Sequence, residues 1–270
     1  NVESKDTSAF QSGEVAWLLN NRSVNGPWRQ NLEPEDNKDD FPVLDQTHGV
    51  VVPVDSTYTS AMFDNGFIDV GNVTYYQPAT WNEEQGVYEI GNAGQLYWFA
   101  GLVNGDENTA ACAVLTENIT INENVLNVDG TLNGTPQYGW TPIGDYYNAY
   151  TGTFDGKGHT ISGLYYNGST TYVGLFGYIG TGGTVQNVTV EDSSLSASTT
   201  GDSAYAGGVC GYNSGGTITN CTSNGDVTAN SGSYAYAGGV CGYNSDTASI
   251  SNCTSTGDVT ANSGSYAYAG

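Results

Sequence analysis

The feature that most constrains this chain is a tandem repeat near its C-terminal end. Residues 204–234 read AYAGGVCGYNSGGTITNCTSNGDVTANSGSY, and residues 235–266 read AYAGGVCGYNSDTASISNCTSTGDVTANSGSY. A further copy opens at Ala267 and stops at Gly270, and Tyr205, Tyr236 and Tyr268 set the period at 31 and then 32 residues. Units this short cannot each bury a hydrophobic face. They become stable by stacking on one another, so that a continuous core runs through the stack.

A worn copy precedes the two good ones. Gly174-Leu175-Phe176-Gly177-Tyr178 aligns with Gly208-Val209-Cys210-Gly211-Tyr212, and Gly182-Gly183-Thr184-Val185-Gln186-Asn187 with Gly215-Gly216-Thr217-Ile218-Thr219-Asn220. Residues 153–168 form a half-repeat further upstream. Each full unit holds three β-prone runs, in the first copy 205–212, 217–222 and 226–229, separated by Gly, Asn and Ser. The expected architecture is therefore mainly β: a parallel β-helix (β-solenoid), right-handed being the expected hand, with three ladders. Its inward residues would be Val209 or Cys210, Ile218, Cys221, Val227 and Ala229. Ile218 and Cys221 have opposite strand parity, which a left-handed bend at Asn220 would reconcile. Tyr205 and Tyr212 also have opposite parity, so only a bend lets both face solvent. Because the sequence stops inside a coil, the expectation is that the parent protein continues or that Gly270 meets another subunit.

Upstream, Ser8-x-x-Gln11 is a capping-box pattern before Val15, Trp17, Leu18 and Leu19. Asn92-x-x-Gln95 is a looser one before Leu96, Phe99, Ala100 and Val103, which are spaced for one helix face. The implied organisation is a small N-terminal α+β unit over 1–55 and a linker or small β-unit over 56–85. A solenoid over 86–270 follows, with a helical cap near 92–104 and coils over 151–270. Acidic residues number 28 against 5 basic ones, for a formal charge of −23. Nucleic acid is excluded as a partner, because phosphate binding needs basic side chains. Anionic membrane surfaces are disfavoured for the same reason. No run of ~18 apolar residues exists, so no membrane insertion is expected. The opening at Asn1, without a signal peptide, reads as a mature or excised segment.

At the repeat residues a family resemblance emerges. Gly207 to Asn213 and Gly215 to Cys221 resemble the GLUG motif of bacterial surface proteins, as do Trp140 to Gly144 and the run from Thr151 to Leu164. Residues 86–104 look like the usual opening of such a domain. Ser12 to Asn20, Trp28 to Asn31 and Phe41 to Leu44 resemble the unit that sits between GLUG arrays. Residues 67–79 resemble a related linker without its Cys-x-x-Cys, which removes a metal-ribbon reading. The resemblance implies an extracellular setting on a bacterial cell surface, secreted or anchored through a region outside this chain. Adhesins and proteins found beside IgA-cleaving metallopeptidases share that setting.

The chemistry the residues offer is limited. Cys210 with Cys241, and Cys221 with Cys253, recur in register, with Cys112 left over. They read either as small buried hydrophobes or as disulfides between rungs. His48 and His159 belong to no ligand-spaced cluster, so no metal centre is expected. Asp226 and Asp258, with Asn224 beside them, supply hard oxygens that would suit calcium, the one cofactor considered. Glu191 and Asp192 are adjacent and would point to opposite faces, and Asp155 and His159 read as turn residues. No nucleophile elbow, zinc motif or phosphate loop is present. Gly208 and Gly211, with the four in-register cysteines, read as structural repeat positions.

Tyrosine is the suggestive residue. Tyr205, Tyr212, Tyr234, Tyr236, Tyr243, Tyr266 and Tyr268 recur with the repeat, and Tyr146, Tyr147, Tyr150, Tyr165 and Tyr166 form another cluster. Tyr205, Tyr212, Tyr236, Tyr243 and Tyr268, with Tyr146 and Tyr147, are the candidate ligand-binding surface; ladder stacking that stabilises the solenoid explains the pattern equally well. The functional expectation is a non-enzymatic binding or adhesion module that engages a host protein, a mucosal immunoglobulin among them by family association, or a glycan. The alternative is a stalk or filament subunit that self-associates through solenoid ends, with a polysaccharide-acting β-helix enzyme third.

Overall fold

The computed structural model describes residues 65–70, 73–105, 108–245 and 247–270. The expected helix-strand unit over 1–55 lies outside them. The chain divides into two compact units, one up to Pro78 and one from Ala79 to Gly270. In the described part of the first, Phe67–Val70 pairs antiparallel with Val73–Tyr76.

The second unit is the parallel β-solenoid. Its coils share four ladders rather than the three expected. One ladder stacks Tyr172–Val173, Ala204–Gly207, Tyr234–Gly238 and Tyr266–Ala269. A second stacks Phe176–Ile179, Cys210–Asn213 and Cys241–Asn244. The third runs from Val87–Ile90 through Ala113–Leu115, Thr153–Asp155, Thr184–Gln186 and Thr217–Thr219 to Ser249–Ser251; Thr80–Asn82 pairs antiparallel at its outer side. The fourth is built on the long strands Thr189–Thr199 and Thr222–Ser231, whose pairing shifts register between Glu191 and Ser194.

The extra ladder arises because the run 205–212 breaks at Gly207-Gly208. A Cβ on Gly207 would lie 2.1 Å from the Cys210 carbonyl oxygen, and one on Gly208 would lie 1.9 Å from Ser223 Oγ. The chain folds so tightly there that only glycine fits. The bend turns one β-prone run into two strands at a corner. Ser223 fills the slot that Gly208 leaves, and its buried hydroxyl has no hydrogen-bond partner.

The inward residues are those the pattern indicates. Val209, Cys210, Ile218, Cys221, Val227 and Ala229 are all buried. Asn220 is left-handed at φ 54°, and its counterparts Asn187 and Asn252 match it at 54° and 53°. Asn tolerates that region, and the bend carries the chain from the third ladder to the fourth with Ile218 and Cys221 both inside. Its side chain also serves the stack: Asn220 Nδ2 donates to Asn187 Oδ1 at 3.0 Å. The extra residue of the second repeat is absorbed at one corner. Asn213 pairs with Asn244, but Thr217 pairs with Ser249, so the longer connection lies between Asn244 and Ser249 and the strands stay in register.

The helix Ala93–Gly105 packs on the first coils. Asn92 Oδ1 accepts from Gln95 N at 2.9 Å and Gln95 Oε1 reaches back to Gly91 N at 2.7 Å, a capping box shifted by one residue. Leu96, Phe99, Ala100 and Val103 are buried, with the Phe99 ring against Tyr150 and Phe154. Trp140 is buried and donates Nε1–H to the Gly174 carbonyl at 3.0 Å. Among the described residues, no helix is long and apolar enough to cross a membrane.

Candidate binding face

The glycine corner decides where the tyrosines go. Tyr205 and Tyr212 flank it, and the turn brings both side chains to the same outer edge, with ring centroids 5.2 Å apart at 79°. Parallel pairing then repeats each ring one rung further on. Tyr172, Tyr205, Tyr236 and Tyr268 form one column, with successive centroids 5.4, 5.0 and 5.0 Å apart and planes within 15°. Tyr178, Tyr212 and Tyr243 form a second, with both spacings 4.9 Å. Across the columns the rings meet edge to face at 80–88°. Both geometries are favourable for aromatic quadrupoles. The spacing within a column is close to the strand separation of a β-sheet, about 4.7–4.9 Å, so the backbone sets it.

The face combines exposure with stacking. Tyr243 and Tyr268 are exposed, while Tyr172, Tyr178, Tyr205, Tyr212 and Tyr236 are half-buried. Each inner ring is stacked against its column neighbours. Tyr146 and Tyr147 extend the patch: Tyr146 packs on Tyr178 at 5.9 Å and on Tyr147 at 5.3 Å, and Tyr147 is 90% exposed. The pattern singled out Tyr205, Tyr212, Tyr236, Tyr243, Tyr268, Tyr146 and Tyr147, and all meet here. Tyr172 and Tyr178 were missed, although Tyr178 stands opposite Tyr212 in the worn copy and could have been read from that alignment. Tyr150 does not belong with Tyr146 and Tyr147. It is buried, donates its hydroxyl to the Ala111 carbonyl at 2.9 Å, and packs on Phe176. Tyr165 and Tyr166 lie on the fourth ladder.

Crowding makes these phenols hard to ionise. Burial first, and then the charges of Tyr205, Tyr178, Tyr212 and Tyr146, push Tyr172 up to about 12. Tyr212 and Tyr236 are raised by the same two causes. Tyr172, Tyr212 and Tyr236 therefore stay neutral at physiological pH and present donors and acceptors without charge.

The remaining candidates resolve as follows. All five cysteines are free thiols. Cys210 and Cys221 are buried, and burial pushes Cys221 up to about 12. Asp226 and Asp258 sit on neighbouring rungs, where Asp226 Oδ1 accepts the Asp258 backbone N–H at 3.1 Å. Burial and then the Asp258 charge raise the Asp226 carboxyl, despite that hydrogen bond. Among the described residues, no group of three His, Cys, Asp or Glu is placed to hold a metal ion. Asp192 accepts the backbone N–H groups of Val125 and Leu126 at 3.0 and 2.9 Å, which pins the 122–134 loop to the coil. Burial pushes Asp155 up. Hydrogen bonds from Asn187, from Lys157 through backbone and ammonium, and from Gln186 outweigh it and hold the carboxyl at about 2. His159 Nδ1 lies 3.2 Å from Asn118 Oδ1. These acids tie loops and turns together.

Comparison with known proteins agrees with the repeat. A stretch of 96 residues is 41% identical to halomucin of Haloquadratum walsbyi, covering 34% of this chain and 1% of that protein. Another of 78 residues is 37% identical to a "Putative Gly-rich membrane protein" of Evansella cellulosilytica, covering 28% of this chain and 9% of that one. The chain thus corresponds to a small part of each relative. Among solved structures, one of a "putative immunoglobulin A1 protease" from Bacteroides ovatus resembles 68% of this chain and 61% of its own, with TM-score 0.46 and 21% identity. Residues 202–228 and 233–260 each match the GLUG motif, and together they span the two rungs that carry Tyr205, Tyr212, Tyr236 and Tyr243. The chain thus carries two GLUG motifs, and they are successive coils of its β-solenoid.

Proposed function

We propose that this chain is a non-enzymatic extracellular binding module of a surface protein, and that the double tyrosine column is the face that engages a host protein or glycan. The observation that carries the reading is the convergence of nine tyrosines, from two ladders and the 146–147 loop, on one outer edge. Tyrosine supplies contact area and a hydrogen-bonding tip at little entropic cost. The inner rings cover one another's faces, so a partner meets a grid of neutral hydroxyls set at the rung spacing. A repetitive ligand rich in hydroxyls or exposed backbone groups suits such a grid. A role in binding rather than catalysis is supported by Asp155 and Asp192, whose carboxylates are already committed to turn and loop hydrogen bonds.

The test is an array of glycans and purified extracellular proteins, immunoglobulins included, probed with the chain and with a Tyr212→Ser/Tyr243→Ser variant. A ligand that binds the parent and loses at least tenfold in affinity for the variant supports the reading, while circular dichroism confirms that the variant is folded. No ligand above background, or a ligand indifferent to the variant, would sink it.

A further inference from the structure

We propose that the two tyrosine columns are a site of oxidative modification, at which a one-electron oxidant of the peroxidase class couples tyrosines of neighbouring coils into dityrosine. This goes beyond the binding reading and does not depend on it. Coupling needs two phenols that are in contact, held in place and reachable by the oxidant. Tyr205 and Tyr236 stack at 5.0 Å and 5°, and Tyr236 and Tyr268 at 5.0 Å and 6°. In the second column, Tyr212 and Tyr243 stack at 4.9 Å and 21°. Parallel register fixes each pair, since Tyr205, Tyr236 and Tyr268 are direct strand partners, as are Tyr212 and Tyr243. Tyr243 and Tyr268 are exposed, and Tyr205, Tyr212 and Tyr236 are half-buried. Holding the two reactants together raises their effective concentration far above that of free phenols.

Each tyrosine loses one electron from its ring and its phenolic proton, giving two phenoxyl radicals. Their ortho carbons join in a new C–C bond. The two hydrogens on those carbons then leave as protons while each oxygen regains one, and both rings become aromatic again. With hydrogen peroxide as the terminal oxidant, its O–O bond breaks and it accepts the two electrons and two protons. Two tyrosines and one peroxide thus yield one dityrosine and two waters. The product is a covalent staple between adjacent rungs, parallel to the solenoid axis. Of the thiols, which would quench a radical, Cys210 and Cys221 are buried in the core and Cys112, Cys241 and Cys253 are half-buried.

The full chain, at high dilution, is treated with a haem peroxidase and hydrogen peroxide and then cleaved on the N-terminal side of aspartate. That protease separates the rungs, because Asp202, Asp226 and Asp258 each precede one rung's tyrosines. The expected result is dityrosine fluorescence in the monomer band. The peptide that begins at Asp202 should be joined to the one that begins at Asp226, with a mass two hydrogens below their sum. Tyr236→Phe keeps the ring stack but removes the phenol. It should abolish the links to Tyr205 and Tyr268 and leave the link between Tyr212 and Tyr243. Links only between molecules, or the same pattern from the urea-unfolded chain, would overturn the proposal. So would Tyr236→Phe lowering every link equally.

Discussion

Two coils of this solenoid have almost the same sequence and very different surroundings. Ile218 and Ile250 are direct partners on neighbouring rungs, yet Ile218 is fully buried and Ile250 is 37% exposed. Cys210 and Cys221 are buried, whereas Cys241 and Cys253 are only partly covered. Burial here is not a property of the residue or of its own coil. It is conferred by the coils stacked on either side, as expected where each unit contacts only its neighbours. The inner coil is covered on both sides by described residues, and the coil 241–269 on one. Identical side chains should therefore differ in energetic weight according to position alone.

The sharpest test of that contrast is a matched pair. Ile218→Ala removes a fully packed side chain and should cost ~2–5 kcal/mol in denaturant unfolding, the range for buried Ile to Ala. In a chain that ends at Gly270, Ile250→Ala should cost less than half as much. Equal losses would break the comparison. Next, Gly208→Ala forces a Cβ into Ser223 and the Gly239 backbone and should destabilise by ~1–3 kcal/mol through overpacking. Its partial remedy is built in: Ser223→Ala removes an unpartnered buried hydroxyl and should be neutral or mildly stabilising.

Electrostatics sharpen the comparison further. Asp155→Asn breaks charge-assisted bonds at the turn before the inner coils and should cost ~1–3 kcal/mol at neutral pH. Asp155 is held at about 2 against an ordinary 3.8, so it stabilises the fold above that ordinary value. The contribution should fade as pH falls from about 4 toward 2, and the variant should lack that part of the acid sensitivity. The Tyr172 phenol has the opposite sign. Tyr172 is raised from 10.0 to about 12, so its stabilisation is complete below pH 10 and is lost as pH climbs through about 12. Ultraviolet titration of phenolate should show a late component, which Tyr205→Phe would move towards lower pH. The smallest expected effect is Tyr236→Phe on stability, below ~0.5 kcal/mol, because the stacked ring remains.

Much of this is legible in the sequence. The period placed the rungs, the parity clash between Ile218 and Cys221 located the Asn220 bend, and the motif spacing located the helix cap near 92–104. What escaped has physical causes. Gly207-Gly208 reads as part of a β-prone run, and only the close approach of Ser223 and Cys210 shows that it is a corner. Without that corner the sequence cannot show that Tyr205 and Tyr212 face the same way. Tyr150 looks like its neighbours Tyr146 and Tyr147 because a local cluster of aromatics carries no information about depth. Tyr178 was legible from the alignment of Gly174–Tyr178 with Gly208–Tyr212, whereas Tyr172 was hidden because its copy has one residue fewer between it and Phe176 than lies between Tyr205 and Cys210.

The corner between Asn244 and Ser249 carries one residue more than the corner it stacks upon, and no strand shifts. Such a joint acts as an expansion gap in a masonry wall: copying errors collect there without cracking the courses. A gene that lengthens or shortens by whole repeats, or slips by one codon at this point, would still encode a column in register. Its height would change in steps of one course, and the outer tyrosine edge would stay aligned from bottom to top.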